Sequence, residues 1–261
     1  MIKYLARSVA LFSLLLAFYS SAVFAGQAEL YWIEPGAEHR IMSSEWNGDL
    51  WSAPRMVYSS ENSLTSLAMV TDLDGAKLMV WSERFKARVV LMKMQRAPNA
   101  TRWANAALFS DLGNENMGTS MVVDRLNRIW LFWSADLGEL ADVYLVRRSK
   151  QGWSEPERVH GSNQVPDIRP QVELDQDGNV LVNWQSYSMV AGRYLTSNRV
   201  FKLENPLQNG YKSGTREQVE MSIGNIALPE FLPNNVVALA HYPFNRLRQA
   251  ERLDFNRRTA P

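Results

Sequence analysis

Four tryptophans, Trp32, Trp81, Trp133 and Trp184, recur at intervals of 49, 52 and 51 residues. Self-similarity at a fixed period of this size marks an array of one supersecondary unit, and no other feature narrows the fold as much. Six positions before each aromatic stands a turn residue: Gly26, Gly75, Asn127 and Gly178. Two of the turns are near copies, Asp72-Leu73-Asp74-Gly75 and Asp175-Gln176-Asp177-Gly178, and the runs behind them (Lys77 to Trp81, Asn179 to Trp184) are β-formers of buried-strand length. A glycine after aspartate accepts the positive φ of a tight hairpin, so each phrase reads as strand, turn, strand.

A second aromatic keeps step with the first. Trp51, Trp103 and Trp153 lie 19, 22 and 20 residues downstream of their partners, two of them in Gly-containing turns, Asn47-Gly48-Asp49-Leu50-Trp51 and Gln151-Gly152-Trp153. Two hairpins per unit follow, and four antiparallel strands in about 50 residues is the size of one propeller blade. The predicted fold is therefore all-β, a small β-propeller of four-stranded antiparallel blades, spanning about 26–60, 64–110, 119–160, 169–221 and 227–256. Five blades are expected, with four blades or an unclosed array as the alternatives. The first unit lacks its innermost strand, and the stretch Leu247 to Phe255 is expected to supply it by pairing the two ends, which removes two exposed edges. Phe244 to Leu253 fits a short amphipathic helix as well, and both readings stay open.

The hydrophobic share, 46%, is spread evenly, which argues for one globular body from 26 to 261. Ahead of it, Lys3 and Arg7 precede an apolar run from Ser8 to Phe18, and Ala22-Val23-Phe24-Ala25 offers small residues where a signal peptidase reads. Residues 1–25 are expected to be a signal peptide cleaved after Ala25, with the remaining chain periplasmic or secreted and without a transmembrane segment. Without Lys3 and Arg7 the chain holds 26 basic against 27 acidic residues, a balance that favours neither nucleic acid nor an anionic membrane. There is no cysteine, which excludes thiol catalysis, disulfides and cysteine-held metals. A monomer held by packing alone is expected, with a protein or glycan ligand in the cell envelope as its partner.

The phrases Ser44-Glu45-Trp46-Asn47-Gly48-Asp49-Leu50-Trp51 and Asp142 to Trp153 resemble the Asp-box turns of bacterial neuraminidase (sialidase, BNR-repeat) propellers. The family pattern is Ser-x-Asp-x-Gly-x-x-Trp. The first phrase keeps Ser44, Gly48 and Trp51 with Trp46 in the aspartate position, and the second shortens the turn and lacks the aspartate. As a repeat style the resemblance covers Glu29 to Glu204. It implies a propeller fold, and for activity it implies three arginines on a substrate carboxylate, a Tyr nucleophile paired with a Glu, and an Asp acid/base. The family's Arg-Ile-Pro signature is absent; Ile168-Arg169-Pro170 has the letters in another order, at a place where a blade strand begins.

In an up-and-down blade the first and third turns share one end, while the middle loop and the blade-to-blade connection share the other, where ligands gather on a rigid scaffold. Arg84, Arg88, Arg169 and Arg193 are the candidate anion clamps there, because a guanidinium meets a carboxylate with two parallel bonds. Tyr187 and Phe85 are candidates for stacking on a sugar or packing a partner. Glu83, Asp136, Glu139, Asp142 and Asp167 supply carboxylates, and Tyr187 and Tyr242 phenols, for a glycosidase alternative. His39, His160 and His241 lie in different units without metal-ligand spacing, and the aspartates near Gly75 and Gly178 are explained by turn chemistry, so no metal or cofactor is expected. The reading is a non-catalytic exported propeller that binds a protein or glycan, with a neuraminidase-like or other glycoside hydrolase acting on acidic glycans as the alternative.

Overall fold

Asp72, Asp124 and Asp175, spaced like the tryptophans, build the same turn three times. Each Oδ1 accepts the amides two and four residues on: Asp74 and Ala76 at 3.0 and 2.9 Å, Leu126 and Arg128 at 2.9 and 3.0 Å, Asp177 and Asn179 at 2.9 and 2.8 Å. The residue that reverses the chain is left-handed in all three, Gly75 at φ 90°, Asn127 at 60° and Gly178 at 76°. Asparagine serves where glycine is missing because its short polar side chain tolerates that region.

The computed structural model describes residues 28–161, 163–203, 237–241 and 250–254. Strands β1 (Ala28–Glu34), β2 (His39–Trp46) and β3 (Arg55–Ser60) belong to the first sheet, and β4 (Leu64–Thr71), β5 (Lys77–Phe85), β6 (Arg88–Arg96) and β7 (Ala107–Ser110) form the second. The third holds β8 (Glu115–Val123), β9 (Ile129–Asp136) and β10 (Ala141–Ser149), with the short β11 (Gly152–Trp153) and β12 (Glu157–Arg158) both paired to β10. In the fourth are β13 (Asp167–Leu174), β14 (Val180–Ser188) and β15 (Arg193–Phe201). Every pairing is antiparallel, as blades require.

Two further strands, β16 (Val237–His241) and β17 (Ala250–Asp254), join the first sheet, in the order β17-β16-β1-β2-β3. The first unit thus receives its missing inner strand from the C-terminal part of the chain, with Glu29 opposite His241 and Trp32 opposite Ala238. The pairing strand is Val237–His241 rather than Leu247 to Phe255, which contributes the outer neighbour β17 instead. Ala250–Asp254 is strand, not helix, because β16 offers it a ladder to complete. The described residues contain four sheets; the described parts of the expected fifth unit belong to the first. The expected signal peptide, the rest of the expected fourth unit from 204 to 221, and Tyr242 lie outside the described residues.

The second strands β5 and β9 are sandwiched between sheets. Met79 and Trp81 of β5 pack toward the first sheet with Tyr31 and Ile41, while Leu78 and Val80 pack toward Ile129, Leu131 and Trp133 of the third. Trp130 and Phe132 in turn face Val180, Val182 and Trp184 of the fourth. Burial on both faces explains why these strands read as unbroken apolar runs. Trp32, Trp81 and Trp133 are fully buried. Each such ring removes roughly 200 Å² from water, about 5 kcal/mol at the usual area coefficient. The period-setting residue is therefore the wedge between sheets.

The first strands β4, β8 and β13 each carry a bulge, between Thr65 and Ala68, Met117 and Ser120, and Ile168 and Gln171. Its pivot is left-handed each time: Ser66 at φ 53°, Gly118 at 68°, Arg169 at 54°. Hydroxyls lace neighbouring bulges, Ser66 Oγ accepting the Gly118 amide at 2.6 Å and Ser120 Oγ the Val172 amide at 3.0 Å. Strands β8 and β13 begin at Glu115 and Asp167, ahead of the expected Thr119 and Arg169, and this brings Asn116 and Asp167 inside the sheets.

Candidate functional site

The hairpin loops after β1, β5, β9 and β14 lie at the same end of the sheets as the connections 61–63, 111–114 and 159–166. Backbone bonds tie them, from Arg84 N–H to the Ser63 carbonyl at 3.0 Å, Asn114 to Asp136 at 2.7 Å, and Tyr187 to Pro166 at 3.0 Å. The hairpin after β5 turns in two residues, since Phe85 already pairs with Arg88 and Lys86 takes the left-handed conformation at φ 55°.

Buried carboxylates at this end belong to the tryptophan pattern. The Trp81 indole donates to Glu83 Oε2 at 3.1 Å, Trp133 to Asn116 Oδ1 at 2.9 Å, and Trp184 to Asp167 Oδ1 at 2.9 Å. Asn116 and Asp167 both stand 17 residues before their tryptophan; Leu64 at that offset has no acceptor, so Glu83, two residues after Trp81, takes over. Glu83 also accepts the Tyr58 hydroxyl at 3.0 Å, the Ser60 hydroxyl at 2.6 Å and the Asn62 amide at 3.0 Å. Burial first, and the Glu83 charge second, push the Tyr58 phenol up to about 12.

A second cluster joins the third and fourth sheets. Asp142 comes from β10, His160 from the connection after β12 and Asp167 from the head of β13, and one donor atom from each lies within 4.8 Å of the others. Asp167 Oδ2 accepts the Asn163 amide at 2.7 Å and lies 2.9 Å from His160 Nε2. The imidazole stacks on the Trp184 ring, centroids 5.3 Å apart and planes 7° from parallel. Arg158 Nε sits 3.2 Å from Asp142 and donates to the Tyr144 hydroxyl at 3.0 Å. Burial raises the Asp142 carboxyl above the ordinary range, against the opposing pull of Arg158 and His160. Sequence spacing gave no sign of this cluster, although a carboxylate at the offset where Asn116 stands was a readable signal.

The residues singled out from sequence are distributed along this end. Arg84 pairs with Glu115 at 3.3 Å, and Arg88 donates to the carbonyls of Asp111 and Gly113 at 2.7 and 3.0 Å, fastening the connection between the second and third sheets. Arg169 is exposed at the bulge of β13, its amide bonded to Ser134 Oγ at 3.1 Å. Tyr187 packs edge-on against Tyr194 at 5.3 Å, on the same hairpin as Arg193. Two of the arginines thus hold backbone and acid partners of the second and third sheets, while Arg169, Tyr187 and Arg193 belong to the fourth. Asp136 caps its own turn through the Gly138 amide at 2.7 Å, and Glu139 is exposed beside it.

The tips carry exposed apolar residues, of which only Phe85 is singled out from sequence. Met189 and Val190 at the β14–β15 tip are 76% and 101% exposed, and Leu137, Leu140 and Phe85 are exposed on the neighbouring tips.

No family model and no curated protein sequence matches the chain. Solved structures similar to it include a protein of unknown function from Dyadobacter fermentans, at 13% identity and a TM-score of 0.50 over 85% of this chain and 70% of that one. A Hadza microbial sialidase is 14% identical with a TM-score of 0.47 over 63% of this chain, which spans 43% of the sialidase. An endo-arabinase from Bacteroides thetaiotaomicron is 10% identical with a TM-score of 0.43, over 86% of this chain and 92% of that one. The likeness is one of fold, to the blade-built all-β architecture that the neuraminidase resemblance implied.

Proposed function

We propose that this chain is an exported, non-catalytic β-propeller that binds a ligand, a protein in preference to a glycan, through the end of the sheets bearing the connections. The observation that carries this reading is the condition of the buried carboxylates there. Glycoside hydrolysis needs two carboxyl groups that reach the substrate from either side of the scissile bond. Glu83 is enclosed by four protein donors and Asp167 accepts from the Trp184 indole and Asn163, with His160 Nε2 2.9 Å away, while Asp142 is held by Arg158. The Tyr58–Glu83 pair has the phenol-carboxylate composition that the resemblance implies, yet its phenol is made harder to ionise, the wrong direction for a nucleophile. What this end presents to solvent is Met189, Val190, Leu137, Leu140 and Phe85, an apolar set suited to a protein surface.

The test combines turnover and binding. Aryl sialosides, arabinofuranosides and xylosides are expected to survive incubation with the chain. A Met189→Asp/Val190→Asp variant is expected to lose its envelope-protein partner in crosslinking while melting at the unaltered temperature, and Leu50→Asp at the opposite end is expected to keep it. Hydrolysis of any of these sugars that disappears in Asp142→Asn would overturn the reading.

A further inference from the structure

We propose that Asp142, His160 and Asp167 bind one first-row divalent cation, zinc or manganese, which staples the third sheet to the fourth. Three separate segments of chain, β10, the connection after β12 and the head of β13, bring two carboxylates and one imidazole together with donor atoms no more than 4.8 Å apart. Such a set needs only side-chain rotation to close on an ion whose ligand distances are about 2.0–2.2 Å. A nitrogen donor beside two carboxylates suits zinc or manganese better than the all-oxygen preference of calcium or magnesium.

The orientation of His160 supplies the independent observation. Its Nδ1 is 2.5 Å from the Gly161 carbonyl and donates to it, so Nε2 is the nitrogen left to ligate. Nε2 lies beside the carboxylates of Asp142 and Asp167. It is shielded from solvent and, although 2.9 Å from Asp167 Oδ2, it is out of line for an N–H···O bond. A divalent cation there displaces any proton on Nε2 and holds the two atoms together. A cation about 2.1 Å from each of two such atoms lies off the line joining them, which is the direction an off-line lone pair serves. The imidazole cannot swing away easily, because the Trp184 ring lies flat against it. The hydrogen bond from Nδ1 to a carbonyl is also the outer contact that ordinarily orients a metal-bound histidine.

Around the ion, charge is balanced. Asp142 and Asp167 bring two negative charges into a region where their side chains are nearly inaccessible, and Arg158 compensates from the rim against Asp142. Asp167 keeps its Trp184 and Asn163 bonds, so the ion adds to a site that is already ordered.

The experiment is titration calorimetry and thermal melting of the untagged, chelator-treated chain with zinc, manganese and calcium. One equivalent of zinc or manganese is expected to bind and raise the melting temperature. His160→Gln and Asp167→Asn are each expected to weaken binding at least about tenfold. Asp167→Asn retains an oxygen for the Trp184 indole, so it separates ligation from folding, and Asp142→Asn serves as the second folded variant. The proposal is overturned by no uptake up to about 1 mM, by equal uptake in the variants, by a response to calcium alone, or by a nitrogen NMR spectrum showing His160 as an imidazolium in the zinc-treated chain.

Discussion

Glu83 and Asp167 do the same job at two seams of the molecule and are surrounded differently. Both are buried, both accept the indole hydrogen of their unit's tryptophan, and both gather donors from outside their own strand. Glu83, where the second sheet meets the first, is saturated by neutral donors: Tyr58, Ser60, Asn62 and Trp81. Asp167, where the fourth sheet meets the third, shares its carboxylate with an imidazole and a second acid. A buried charge can be satisfied by enough hydrogen bonds or by an opposite charge; Glu83 has four hydrogen bonds, whereas Asp167 has two and lies beside an imidazole and a second acid. The lesson is that the repeat conserves the indole's need for an acceptor, while the acceptor's residue type and sequence offset vary from unit to unit.

Removing the acceptor at the saturated seam is expected to have the largest effect. Glu83→Ala takes the acceptor from the buried Trp81 indole and from the half-buried Tyr58, Ser60 and Asn62, and should lower stability by on the order of 3 kcal/mol, read by urea unfolding followed by tryptophan fluorescence. A loss below about 1 kcal/mol would mean that solvent reaches those donors and that the two seams do not differ as described. Exchanging the indole compares the seams directly. Trp184→Phe should cost about 2 kcal/mol and Trp81→Phe about 1 kcal/mol beyond the packing loss they share, since Glu83 retains three other donors and Asp167 carries a neighbouring acid; the reverse order would break the comparison.

Alkaline titration sharpens it further. The Tyr58 phenol is raised in the folded chain, so the native state holds that proton more tightly than the unfolded state. Its contribution is complete below pH 10 and is lost as the pH climbs through about 12. Tyrosinate absorbance should therefore show a late-titrating phenol that returns toward the ordinary value in Glu83→Gln. The smallest effect is expected for Asn62→Ala, which removes one donor of four and should cost about 0.5–1 kcal/mol in the same unfolding assay.

Much of the architecture was legible because blade geometry imposes a period on the chemistry. The six-residue step from turn residue to tryptophan marked β5, β9 and β14 correctly, and the Asp-Gly copies marked real turns, with Asn127 substituting at the third. The third hairpins were legible too: Ser52 and Ser154, each one residue after its tryptophan, bond back to Glu45 and Arg147 with the same pair of contacts, at 2.8 and 3.0 Å. The inner strands β8 and β13 read short in the sequence because their bulges interrupt the alternation at Gly118 and Arg169, whereas β4 begins at the expected Leu64. Val237–His241 falls within the expected fifth unit, 227–256, yet completes the first sheet, a role that follows from the ladder that β1 leaves open.

The sequence by itself determined the class of fold, the turns and the wedge residues, since these depend on contacts within one unit of about 50 residues and on which backbone conformations each residue type tolerates. Only the tertiary structure decided which strand completes the first sheet and which side chains meet between sheets. Asp142, His160 and Asp167 are 18 and 7 residues apart along the chain and belong to three segments, so no local pattern announces that they share one small volume. Likewise Arg84 and Arg88 look like free cations in the sequence and become fasteners once Glu115, Asp111 and Gly113 are brought beside them. A local pattern can be read along the chain, whereas the partners of a charge depend on how neighbouring blades are set against each other.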